Sequence, residues 1–219
     1  MPALSGNSIP DTASRHNSPL ALRIGFWICI LISIAVVLRR VFALAHPVSE
    51  PPQLANLDAF FVSHAVLTLA HILPALAFVV VVPFYFFGST NLSSRAKRIL
   101  FPLGAIVGVT AYAMSTYSVG GWTERSAVLF FNSLFVFSLL RAFQYGRRGN
   151  SLQEHRWLLR AIVILLGIAT TRPVMGIFFA TASITHLAPA QFFGIAFWIG
   201  FSINAIVIEL WLRKPSQVL

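Results

Sequence analysis

Charge is scarce in this chain. Of its 219 residues only 10% are Asp, Glu, Lys or Arg, where a soluble domain keeps about a quarter to cover its surface. With 57% of the residues hydrophobic, too little polar surface remains for a water-facing exterior, so lipid must cover most of it. Acidic residues are scarcer still: six Asp and Glu against sixteen Lys and Arg, a net charge of +10. That excess forms no aromatic-interleaved basic patch. It sits at the ends of apolar runs, which excludes a nucleic-acid partner and matches the loop charge that orients a membrane protein. The single cysteine, Cys29, lies in an apolar run and rules out a disulfide framework or a CxxC redox pair. HExxH, G-x-S-x-G, P-loop and dinucleotide fingerprints are all missing, and the reading leans away from an enzyme.

What the chain has instead is long apolar runs. A spanning helix needs roughly 20 largely apolar residues, and six stretches qualify: Leu22–Ala45, Ala59–Phe87, Ile99–Val119, Arg125–Phe143, Trp157–Ser183 and Ala190–Leu212. The expected fold is an all-α, polytopic bundle of six transmembrane helices over residues 21–214. A Pro/Ser-rich stretch at 1–20 reads as a disordered tail, and 215–219 as a short C-terminal tail. Ala43-Leu44-Ala45 resembles a signal-peptidase site, but Arg39 and Arg40 between it and the apolar core argue against cleavage.

Basic residues alternate between loops. Arg15, Arg23, Arg95, Lys97, Arg98, Arg141, Arg147, Arg148, Arg156, Arg213 and Lys214 fall on one side; Glu50, Asp58 and Glu124 fall on the other. The positive-inside rule places both termini in the cytoplasm of a multi-pass inner-membrane protein, with Arg39 and Arg40 snorkelling outward. Gly104 and Gly108 form a G-x-x-x-G suited to close helix approach, and Gly194 and Gly200 offer the same in the last span.

Polar residues inside the spans are the functional handles, because each is costly in hydrocarbon. Arg172, in IATTRPVMG, stands out: its guanidinium has five donors and no neutral fallback. Pro173 is expected to free the carbonyl of Ala169 and kink span five. At about 1.5 Å per residue, Arg172, His71 and Asn204 lie ~16–21 Å from the outer ends, and Tyr112 and Asn132 ~12 Å. Facing inward together, these five would line one polar cavity for a small polar or anionic ligand, or a lipid or quinone head group. Tyr112, Asn132 and Thr170 also suit simple interhelical bonding. Glu209 is placed to pair with Arg213 one turn on.

Two other readings stand beside this one. A membrane redox component would bind haem b or quinone, with His71 as ligand, or an outer pairing of His64 with His186 or His46. A structural or accessory subunit would use its polar groups only to hold helices together. A loose zinc site from His46, Glu50, Asp58, His64 and His186 follows no metal motif.

From HAVLTLAHILPALAFVVVVPF through EHRWLLRAIVILLGIATTRPVMG to INAIVIELWLR, about residues 55–213, the chain resembles a bacterial membrane family, domain of unknown function 2306. The matching positions are His71 with Pro83; His155, Arg156, Trp157 and Arg160; Arg172; and Asn204 with Glu209. KRILFPLG stands where the family has a longer basic-aromatic stretch, which marks a divergent member. The resemblance implies a helical membrane fold and names no reaction.

Overall fold

The computed structural model describes residues 20–45 and 62–213. The described residues are helical, without strands, and form α1 (Leu20–Ala45), α2 (Ala65–Phe87), α3 (Thr90–Ser115), α4 (Gly121–Arg147), α5 (Ser151–Leu165), α6 (Gly167–Ala180), the short α7 (Ala182–Thr185) and α8 (Pro189–Leu212). Six spans are long and apolar enough to cross a membrane, with α5 and α6 together making the fifth. The tails, the proposed cleavage site's far side, His46, Glu50, Asp58 and the first residues of expected span two lie outside the described residues.

The spans run up and down. α2 packs on α3, α3 on α4, α4 on α5, while α8 inserts between α4 and α6, and α1 closes the ring against α2 and α6. Two ends can be defined by what gathers there: a basic end, holding Lys97, Glu154 and Glu209, and an opposite end, holding Glu124 and His186. Large apolar side chains such as Leu31, Val66, Val109 and Ile177 are exposed, as expected where lipid is the solvent. Inside, Phe78, Val82, Leu100, Phe131, Phe135, Leu158 and Ile162 form the main buried cluster.

The helices are longer at the basic end than the apolar runs alone indicate. α3 starts nine residues before Ile99 and carries Arg95, Lys97 and Arg98, while α5 starts six before Trp157. Charged residues extend these helices past the hydrocarbon, where their side chains meet one another. Gly149, at φ 73°, turns the chain between α4 and α5 in a left-handed conformation that glycine adopts freely. Asn150 then caps α5, its side chain accepting from the Gln153 N–H at 3.1 Å.

Small residues set the close approaches. A Cβ on Gly104 would lie 2.8 Å from Leu139, and one on Gly108 2.6 Å from Val136, so the G-x-x-x-G faces α4. On α8, Gly200 meets the backbone of Thr171 and Gly194 that of Glu124. Both expected glycine contacts therefore form.

Span five is interrupted at Leu166, seven residues before Pro173, and α6 runs on through the proline. Across the break, Leu166 N–H donates to Ile162 O and Ala169 N–H to Leu166 O. The carbonyl of Val163 is taken instead by a side chain from α8. The discontinuity thus arises at the Leu-Gly step, where Gly167 admits Phe201 so closely that a Cβ would lie 2.5 Å from its ring.

Candidate functional site

A cavity of about 260 Å³ lies among all six spans, in the half of the bundle nearer Glu124. Of the five residues expected to converge, His71, Asn132 and Arg172 line it; Tyr112 and Asn204 do not.

Arg172 enters from α6. Among the described residues its Nε is buried without a hydrogen-bond partner, and Nη1 reaches only the Met175 sulfur, at 3.8 Å. A thioether is a weak acceptor, so the guanidinium has donors to spare in a site walled mostly by apolar side chains. Two residues not singled out as site candidates join it. Glu124, from the first turn of α4, and Arg40, near the end of α1, also line the cavity. Glu124, Arg39 and Arg40 all lie within electrostatic reach of Arg172. Arg40, expected to snorkel toward the outer face, lies on the cavity lining at its Glu124 end. Glu124 is not held by a contact ion pair to Arg172 among the described residues. Its Oε2 accepts from the Gly120 N–H, which fixes the carboxylate at the start of α4. Signals for both residues were present as charges at span ends, but their direction depends on helix rotation.

His71 is oriented by α3. The single proton of Thr110 Oγ1 goes to the carbonyl of Ile106 at 2.7 Å or Val107 at 3.1 Å. Thr110 therefore accepts from His71 Nδ1, 2.9 Å away. The neutral ring so assigned carries its proton on Nδ1 and keeps Nε2 as its acceptor. Asn132 lines the cavity while its amide donates to Gly108 O at 2.9 Å, bonding α4 to α3. Thr68, Ser115, Tyr117 and Ser118 add to the polar lining, Ser115 donating to Tyr112 O at 2.7 Å.

Tyr112 and Asn204 are interhelical bonds rather than lining. Tyr112 meets Ser133 at 2.8 Å between α3 and α4. Asn204 Nδ2 donates to Val163 O at 2.8 Å, and its Oδ1 accepts from Thr170 at 2.7 Å. Its amide is thus committed to the break in span five.

At the basic end, α5 ties the bundle together. Glu154 pairs with Lys97 of α3 at 2.9 Å. His155 Nδ1 meets the Tyr85 hydroxyl of α2 at 2.7 Å, and Arg156 donates to Leu212 O of α8 at 3.0 Å. Arg160 forks onto both carboxylate oxygens of Glu209, also on α8. Trp157 lies beneath the guanidiniums of Arg160 and Arg141, 4.5 and 5.6 Å from its ring centre. Glu209 therefore pairs with Arg160 and not with Arg213, because a fork aimed across the interface presents two aligned donors. Of the expected group His155, Arg156, Trp157, Arg160 and Glu209, Arg160 touches both Trp157 and Glu209, while His155 and Arg156 reach other partners on α2 and α8. Glu154 and Lys97 lie at the same end and were not singled out from the sequence.

His64 bonds Ser63 at 2.9 Å and lies against the Tyr117 ring at a tilt of 39°; unlike His71, it does not line the cavity. No group of three His, Cys, Asp or Glu suited to a metal exists among the described residues. No family model, curated protein or solved structure matches the chain.

Proposed function

We propose that this is a multi-pass inner-membrane protein, N-in and C-in, that binds or moves a small anionic ligand in the chamber around Arg172. One observation carries the reading: a guanidinium lines a mostly apolar cavity with no stronger hydrogen-bond acceptor, among the described residues, than a methionine sulfur. A permanently charged group in hydrocarbon depth is retained where it meets a partner, and a carboxylate or phosphate fits the planar donor fork. Arg40 and Glu124 line the chamber beside it, so the charged groups gather around the guanidinium. Alternation of basic residues supports a cytoplasmic basic end, which puts the chamber in the outer half. The resemblance of His71, Arg172, Asn204 and Glu209 to domain of unknown function 2306 fits a divergent member of that family.

A quinone or quinol head group is the alternative that His71 favours, since Nε2 can accept from a quinol hydroxyl and Arg172 can donate to a quinone carbonyl oxygen. Haem is less well supported, because no second histidine lines the cavity among the described residues.

Extraction and mass spectrometry of small molecules from the purified chain test the reading. An anionic compound should accompany the wild type and be depleted from Arg172→Gln. Equal recovery from both would remove Arg172 as the anchor.

A further inference from the structure

The lining of the chamber is sorted by polarity along the bundle axis. On α1 the order from the Glu124 end inward is Arg40, Val37, Val36; on α2 it is Thr68, His71, Ile72, Ala75. On α6 and α5 it is Arg172, Ile168, Leu165, Ile164. α4 runs from Glu124 through Val128 and Phe131 to Phe135, about 16 Å along the helix. The one deep polar group, Asn132, has its amide committed to Gly108 O. Charge therefore collects at one end, and the other is closed by aromatic and aliphatic side chains.

Resting on the anion reading above, we infer that the ligand is an amphipathic monoanion, its acidic head at Arg172 and Arg40 and its apolar tail against Phe135, Phe201 and Ala75. A purely hydrophilic anion would leave the inner half of the chamber without a complement. A neutral apolar compound would leave the guanidinium without an acceptor. A diacyl lipid is too large for about 260 Å³, whereas a single short acyl chain or one aromatic ring fits. The shared chemistry is a carboxylate on one compact apolar body, and its source is either a membrane-derived fatty acid or a water-borne aromatic acid.

Titration calorimetry on the full chain in phosphatidylcholine nanodiscs, with empty nanodiscs as the blank, tests this with four probes: acetate, 3-phenylpropionate, decanoate and 3-phenylpropionamide. Either long acid should bind about tenfold or more tightly than acetate, as burial of a ring or chain requires, and the amide should bind more weakly than its acid. Whichever acid is tighter assigns the source. Ala75→Phe, which fills the inner end, should remove the gain over acetate. Acetate binding as tightly as both long acids would overturn the amphiphile and leave the anion reading intact. The amide matching its acid, or Arg172→Gln binding every probe as the wild type does, would overturn the anion reading itself.

Discussion

Asn204 Nδ2 on α8 donates to the carbonyl of Val163 on α5, and in doing so takes the place of a backbone donor that the break at Leu166 removes. Thr170, one turn past the break, donates to the same side chain. One amide thus joins both halves of span five to the last helix.

Replacement of Asn204 by Leu leaves Val163 O and Thr170 Oγ1 without that partner. The expected loss is about 1 kcal/mol, in the range measured for interhelical bonds in membranes. Unfolding of the reconstituted protein in graded denaturant reads it. A variant as stable as the wild type would mean that the break holds itself.

The Lys97–Glu154 pair should show the asymmetry of buried charges. Glu154's side chain is 8% exposed and Lys97's 32%. Lys97→Met leaves a buried carboxylate alone and should cost roughly 3 kcal/mol. Lys97→Met with Glu154→Gln together should cost less than the single change, and stability measured on all three variants decides the point.

Arg160 and Glu209 are coupled and Arg213 is not their third member. A double-mutant cycle with Arg160→Gln and Glu209→Gln should give a coupling of about 1 kcal/mol, since Glu209 is partly solvated. Added salt should weaken it. The same cycle with Arg213→Gln should give a value near zero.

Two glycines make a matched control. Gly200→Ala would put a methyl 2.7 Å from the Thr171 backbone nitrogen, forcing α6 and α8 apart, whereas a methyl at Gly176 meets nothing within 4 Å. The first substitution should lower the unfolding temperature. The second should hold or raise it, because alanine in a helix interior is favoured by roughly 0.5–1 kcal/mol.

The six spans were legible because bilayer thickness sets a length, and length is visible in sequence. Depth was legible for the same reason, which is why His71, Asn132 and Arg172 could be placed at comparable levels. Rotation about the helix axis was not. Tyr112 and Asn204 stand at suitable heights yet turn toward neighbouring helices, while Arg40 and Glu124 line the cavity, and the packing of whole helices decides which. Pro173 drew attention as the helix breaker, but a proline can remain within a helix whose neighbours accommodate it. The interruption came where Gly167 lets Phe201 press in. Partner choice at the basic end was equally hidden: Glu209 has an arginine one turn away in sequence and a better-aimed one across the interface.

Because every span contributes to the chamber's wall, the chamber is the last feature to exist during biogenesis. A nascent chain ending before α8 already has five spans, its α3–α4 glycine contact and the Lys97–Glu154 pair. It lacks Phe197 and Phe201, and with them a closed wall. A closed wall is therefore a property of all six spans together, completed only where the final helix packs between α4 and α6.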